Sequence, residues 1–371
     1  MGNWKNGELG DFVTLKRGFD LPQQKREDGQ VPIFSSSGIT GTHSTAMVKA
    51  PGVITGRYGT IGEVFYAAKD FWPLNTTLFV EDFHGNDAKF IYYFLKTLEW
   101  SKFTSASAVP GINRNTVHKE IVSLPDVETQ RRIASTLSMF DEKIKINTEI
   151  NDNLEQQAQS YFQELFVDNA DPEWAIGTIS DLGTVVGGST PSKAKPEYYT
   201  ESGIAWITPK DLSINKSKFV SHGENDITEL GLRNSSASLM PEGTVLFSSR
   251  APIGYIAIAA GEVTTNQGFK SVVPKPEIGT PFVYFFLKNT LPVIEGMASG
   301  STFKEVSGST MKNVSAVIPD AETLAKFSDF CAPIFAQQRI LEEQNQSLAT
   351  LRDNLLPKLM SGEIDVSAVQ L

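Results

Sequence analysis

The sequence predicts an α+β/α/β chain, with two pseudo-symmetric globular domains separated by two long antiparallel coiled-coil helices. Three observations lead there: an internal repeat, two long stretches with strict 4-3 apolar spacing, and mixed strand and helix signals between them. The repeat decides the architecture and is sought first. Residues 90–96 (Phe-Ile-Tyr-Tyr-Phe-Leu-Lys) recur at 282–288 as Phe-Val-Tyr-Phe-Phe-Leu-Lys, an offset of 192. Residues 51–62 are echoed at 242–254, and Leu124-Pro125-Asp126-Val127-Glu128-Thr129 returns as Ile318-Pro319-Asp320-Ala321-Glu322-Thr323 at an offset of 194. A Gly-x-[Leu/Ile]-x-Asp start appears at residues 7–11 and 177–181. Two copies are too few for a solenoid, so each must fold largely alone. The boundaries expected are 1–126 and 168–320 for the globular domains, and 127–167 and 321–371 for the helices.

Within the first copy, Val53-Ile54-Thr55 and residues 77–80 read as short buried strands, and residues 88–100 as an amphipathic helix. The first long helix runs over 129–166, 38 residues, or about 57 Å at 1.5 Å per residue. Its seam is Ile133, Leu137, Phe140, Ile144, Asn147, Asn151, Leu154, Ala158, Tyr161 and Leu165. In the second copy residues 244–247 read as a strand and 281–291 as a helix. Its seam is Phe327, Cys331, Ile334, Gln338, Leu341, Asn345, Leu348, Arg352, Leu355 and Leu359. Asn151 and Asn345 sit at equivalent seam positions. They are either buried register-setting polar residues or are exposed where the seam opens. Pro333 should kink or delay the second helix, and Pro357 lies near its end at Gly362. A helix with one apolar seam needs a partner. The other copy's helix, packed antiparallel, is the economical one, and helices of other subunits are the alternative.

Composition narrows the class further. The 40% hydrophobic and 20% charged content suits an ordinary globular protein. No signal-like N-terminus or long apolar run is seen, so a cytoplasmic location with no membrane contact is expected. The single cysteine, Cys331, excludes a disulfide framework and a Cys-rich zinc site. Net charge is −10, which is not the footprint of a strongly basic nucleic-acid binder. The charge is uneven, however. Residues 1–127 hold 13 basic and 13 acidic residues, whereas stretches 128–166 and 321–371 each hold 4 basic and 7 acidic. Much of the excess acid therefore lies on the expected long helices, where a solvated face explains it.

The residues of an enzyme are missing. There is no Gly-x-Gly-x-x-Gly after a strand, no Gly-Lys-[Ser/Thr] and no His-Glu-x-x-His. His43, His84, His118 and His222 lack metal-ligand spacing. No Pro-Pro occurs, which removes the tetrad of amino-methyltransferases. Pro125-Asp126 with Asp141-Glu142-Lys143 imitates the Pro-Asp…[Asp/Glu]-x-Lys pattern of metal-dependent nucleases, but the second copy has Phe335-Ala336-Gln337 at that triplet. No catalytic, cofactor or metal residue is assigned.

Several stretches carry a family resemblance. Residues 177–192 (Gly-Thr-Ile-Ser-Asp-Leu-Gly-Thr-Val-Val-Gly-Gly-Ser-Thr-Pro-Ser) run on to Ile204-Ala205-Trp206-Ile207-Thr208-Pro209-Lys210-Asp211-Leu212. Gly300-Ser301-Thr302 precedes Val317-Ile318-Pro319, and Leu124-Pro125 precedes Glu128-Thr129-Gln130-Arg131-Arg132-Ile133. Residues 162–167 close the first helix and 355–364 close the chain. In order and duplicated, these resemble the specificity (S) subunit of type I restriction–modification systems. The resemblance implies two target-recognition domains, each reading half of a split double-stranded DNA sequence, with the helices as a ruler. It also implies partners: two modification subunits that bind S-adenosylmethionine and methylate adenine at N6, and ATP- and Mg-dependent restriction/translocase subunits. The first copy departs from the pattern, showing Lys16-Arg17-Gly18-Phe19-Asp20 in place of Gly-Gly-Ser-Thr-Pro, and residues 32–38 in place of the Ile-Ala-Trp-Ile block.

On that reading, Arg57 and Arg250 are taken as equivalent loop cations after a strand, reaching bases or phosphates; the structural alternative is a turn cap or a carboxylate pair. Lys210, and Lys304 beside Thr302, suit phosphate oxygens or are solvated surface lysines. Asn113, Arg114 and Asn115 suit purine edges or phosphates, with an Asn115 helix cap as the rival. Tyr58 and Ser249 complete the set. The partner-binding or seam set comprises Ile133, Leu137, Phe140, Ile144, Asn151, Leu154, Ile334, Leu341, Asn345, Leu348, Leu355 and Leu359. The rival functions are a coiled-coil adaptor without DNA specificity and a metal-dependent nuclease.

Overall fold

The computed structural model describes residues 4–104, 110–300 and 304–366. Four helices exceed eight residues among them: α1 (Ala88–Thr97), α2 (Val127–Gln163), α3 (Thr280–Gly296) and α4 (Ala321–Met360). The chain divides into two units. One is Met1–Lys145 with Gln346–Leu371; the other is Ile146–Asn345. Both long helices thus contribute a segment to each unit.

The first unit carries an antiparallel four-stranded sheet in the order Thr14–Arg17, Thr77–Asp82, Gly52–Gly56, Val64–Ala67. A three-stranded sheet (Gly38–His43, Val31–Ser35, Trp72–Pro73) and a ribbon pairing Lys5–Glu8 with Ile121–Leu124 complete it. Its core joins Phe90, Ile91, Tyr93 and Leu95 of α1 to Ile133, Ala134 and Leu137 of α2 and Leu356, Leu359 and Met360 of α4. The second unit has a five-stranded sheet in the order Gly183–Gly187, Lys270–Pro274, Val245–Ser249, Ile253–Ala259, Phe219–Val220. A four-stranded sheet and a ribbon of Ala175–Thr178 with Ser315–Ile318 accompany it. Phe162 and Phe166 meet Phe282 and Phe285 of α3 and Phe327 of α4, ring on ring, in its core.

The duplicated sequence motifs have local physical causes. The Asp11 carboxylate accepts the Glu8 N–H at 2.9 Å, and Asp181 accepts Thr178 N–H at 2.8 Å, each closing a capping box on a one-turn helix. A Cβ on Gly7 or Gly177 would lie 2.9 or 2.7 Å from that carboxylate. The Pro-Asp pair is a helix start: Asp126 accepts from Thr129 N, and Asp320 from Thr323 N, both at 2.9 Å. That capping role is the first count against the nuclease reading. The second is Asp141 itself, whose Oδ1 accepts from Arg352 at 2.6 Å and whose Oδ2 accepts from the Tyr93 hydroxyl.

No residue of either expected seam is exposed. One expectation needs correction and one open alternative is settled. Pro333 neither delays nor interrupts α4, which begins at Ala321 and runs 40 residues; Pro333 is only the thirteenth residue, on an exposed face. Asn151 and Asn345 are not exposed at an open seam either. Asn345 Oδ1 accepts from Asn147 Nδ2 at 2.9 Å, while Asn151 exchanges bonds with Gln338 through Nδ2→O (3.4 Å) and O←Nε2 (3.2 Å). As residue number rises along α2 it falls along α4, so these segments run antiparallel.

Candidate nucleic-acid interface

In the first unit the strand Gly52–Gly56 ends at Arg57, whose backbone is held from both sides. Its N–H donates to Thr76 O at 2.8 Å and its carbonyl accepts from Ile112 N at 3.1 Å. The side chain is held as well. Nε donates to Ile112 O at 3.3 Å, and the guanidinium carbon lies 4.5 Å from the Tyr58 ring centroid. Tyr58 is in turn wedged on Gly111, where a Cβ would come within 2.2 Å of its ring. Around them opens a cleft of about 750 Å³ lined by Lys16, Arg17, Phe19, Asp20, Arg57, Tyr58, Asn113 and Arg114. Lys16 pairs with Glu81 at 2.5 Å and Arg17 with Asp20 at 3.8 Å.

The second unit has a cleft of about 500 Å³ lined by Thr190, Lys193, Thr208, Lys210, Glu224, Arg250, Asn266 and Gln267. Two of its cations are held by acids, Lys210 by Glu224 at 2.5 Å and Arg250 by Glu305 at 3.5 Å; Lys270 reaches the same Glu305 at 3.6 Å. The hydrogen bond that Lys210 donates to Glu224 raises the lysine pKa.

The structure therefore brings Arg57, Tyr58, Asn113 and Arg114 together in one cleft, and Lys210 and Arg250 in the other. Three readings change. Arg57 and Arg250 are not equivalent: Ser249 N donates to Gly268 O and Ser249 O accepts from Val306 N, repeating the bonds of Arg57 at the 192 and 194 offsets. Arg250 is the counterpart of Tyr58. Ser249 is fully buried and its hydroxyl donates to Gly268 O, so it has no surface to offer. The cap of the short helix Arg114–Val117 is Asn113, which accepts from Asn115 N at 3.0 Å; Asn115 is not the cap. Lys304 is exposed, and Thr302 lies outside the described residues.

Sequence reasoning missed the divergent turn as cleft lining. Gly18 N donates to Thr77 O and Phe19 N to Pro73 O; Gly188 N and Ser189 N donate to Phe269 O and Thr265 O, the same bonds 192 residues on at the acceptor. A Cβ at Gly18 or Gly188 would come within 2.1 or 1.9 Å of a carbonyl oxygen. The backbone bonds of this turn are thus common to both copies, and the side chains around it differ: Lys16, Arg17, Phe19 and Asp20 in one, Thr190 in the other. That divergence was the visible signal.

A buried ionic cluster was also missed. Lys218, 7% exposed, donates to Glu155 at 2.8 Å and Gln338 at 2.9 Å, with its Nζ 3.4 Å from the Phe335 ring centroid. Glu155 also accepts from Lys288 at 2.5 Å and Tyr284 at 3.1 Å. Burial would raise Glu155, but the two lysines override it and hold its pKa at about 2. Burial lowers Lys218 to about 8 against the pull of Glu155. Among the described residues no cluster of His, Cys, Asp and Glu could hold a metal, and no helix is long and apolar enough to cross a membrane.

The family model for the type I restriction modification DNA specificity domain matches residues 1–156 and 172–351. The MjaIX type I restriction enzyme specificity subunit of Methanocaldococcus jannaschii is 38% identical over 194 residues, covering 50% of this chain and 45% of that protein, so the match spans under half of that relative. The HindI specificity subunit of Haemophilus influenzae is 24% identical, covering 72% of this chain and 75% of its own. In fold, the chain is similar to a type I restriction-modification S subunit from M. genitalium, with a TM-score of 0.63, 18% identity and 96% of each chain covered. The chain belongs to the type I restriction modification DNA specificity domain family.

Proposed function

We propose that this chain is the sequence-specific DNA-binding subunit of a type I restriction–modification complex, reading one half-site with each globular domain. The observation that supports it most is the pair of open, cation-lined clefts, one around Arg57 and one around Arg250. Arg57, Tyr58, Asn113, Arg114, Lys210 and Arg250, with Lys304 and Thr302 nearby in sequence, are the proposed DNA-facing residues. The domains are 1–126 and 168–320, pseudo-symmetric, and the helices of 127–167 and 321–371 form an antiparallel coiled coil that spaces them. Antiparallel contacts such as Asn147–Asn345 and Asp141–Arg352 favour this arrangement.

The chain is a scaffold rather than a catalyst. Two modification subunits carry S-adenosylmethionine, restriction subunits carry ATP and Mg, and all act in the cytoplasm. A net charge of −10 is compatible with DNA binding when partners neutralise much of the phosphate. The test is footprinting of the chain with its modification subunit, which should protect two patches separated by an unread gap. Protection of no member of a random duplex library would leave the coiled-coil adaptor as the better reading.

A further inference from the structure

We infer that Arg57 reads a guanine in the half-site of the first unit, with Tyr58 and the Ile112 carbonyl as its positioning groups. This rests on the DNA-binding reading above and deepens it. Most cations in the two clefts are exposed or paired with a carboxylate, as phosphate-contacting groups can be. Arg57 is neither: it is half-buried and makes no ion pair among the described residues. Its backbone N–H and C=O are both bonded, its Nε is taken by Ile112 O, and its guanidinium face is packed on Tyr58.

What remains is the end-on fork of Nη1 and Nη2, which makes no hydrogen bond among the described residues. Two parallel donors on a fixed plane match the O6 and N7 acceptors of guanine in the major groove. A fixed fork loses little side-chain entropy on binding, which favours discrimination. Arg17 and Arg114, exposed on the same cleft, are placed for phosphates instead. Its neighbour in the other copy, Arg250, has Nη1 committed to Glu305 at 3.5 Å, so the same duty does not pass to the second unit.

The experiment uses the full chain assembled with its modification subunits and duplexes in which each guanine of the target is replaced in turn by 7-deazaguanine, which lacks the N7 acceptor. The wild type should lose affinity about 10- to 100-fold at one guanine of one half-site, the range expected for a bidentate contact. In R57A and R57K that single sensitivity should vanish while the rest of the profile is kept. G111A, which displaces Tyr58, should weaken the same position and no other. Unchanged thermal melting of R57K guards against misfolding. Equal weakening by R57A on all sequences would make Arg57 a phosphate contact and overturn the inference while leaving DNA recognition standing. No protected half-site for the wild-type complex would sink both.

Discussion

Gln130 shows how much one buried polar side chain can organise. Only 1% exposed, it accepts the Asp87 N–H at 2.9 Å and donates to Asn86 Oδ1 at 2.8 Å and Pro125 O at 2.9 Å. It thereby fixes the start of α1 to the start of α2. Gln130→Leu leaves those groups without partners and should cost about 1–3 kcal/mol, read by urea denaturation. The cluster of Glu155, Lys218, Lys288 and Tyr284 gives two further expectations. Glu155 titrates at about 2 in the folded chain against 4.5 ordinarily, so the unfolded state binds more protons between those values. Its stabilisation is complete above pH 4.5 and is lost as pH falls towards 2, each tenfold difference in proton affinity between the two states being worth roughly 1.4 kcal/mol. Melting temperature against pH should show that loss in the wild type and not in Glu155→Gln. Lys218→Met should destabilise by up to about 3 kcal/mol, because it leaves a half-buried carboxylate with one lysine fewer. The double variant with Glu155→Leu should recover much of the loss in thermal melts.

At the scale of elements, the long helices depend on how they begin and what lies between them. Asp126→Ala removes the acceptor for Thr129 N and should cost about 1 kcal/mol, with Asp126→Asn retaining most of it. Asp320→Ala acts in the same direction on α4, and amide exchange in the first turns of each helix would report both. Between the helices, Asn147, Asn151, Gln338 and Asn345 form a polar layer within a seam whose other positions, Arg352 apart, are apolar or aromatic. Such a layer lowers stability and sets register. Asn151→Leu should therefore raise thermal stability or leave it unchanged; a large loss would show that its bonds to Gln338 outweigh their desolvation.

For the whole molecule, the turn at Gly18 and at Gly188 keeps the same backbone bonds in both copies while the cleft side chains around it change. The equal bonding of Gly18 and Gly188 beside unequal lining residues lets one fold present two different surfaces. Exchanging residues 168–320 for a related domain should change one half-site and leave the other intact, as read by methylation of a target library. A change in both half-sites would refute independent reading. Because the first cleft also carries Lys16, Arg17 and Arg114, charge-removing variants of these three should flatten the salt dependence of binding. The slope of log affinity against log salt should fall by about one for each phosphate that the variant no longer neutralises.

The sequence alone determined the duplication, the strands at Val53–Thr55 and 244–247, the helices, and which positions of α2 and α4 are withdrawn from solvent. All of these are periodic or local, and apolar spacing and capping chemistry write them directly into the chain. It did not determine that Arg57 corresponds to Ser249 and not to Arg250, since a one-residue offset is visible only in the hydrogen bonds to Thr76 and Gly268. Nor did it show Ser249 buried, or Lys218 carried into contact with Glu155 and Gln338, residues far from it in sequence. Those contacts exist because strands and helices pack, and the partner of a polar group in a core is chosen by packing. The two-fold repeat was legible from the residues; which side chains it gathers into each cleft was decided by the tertiary structure.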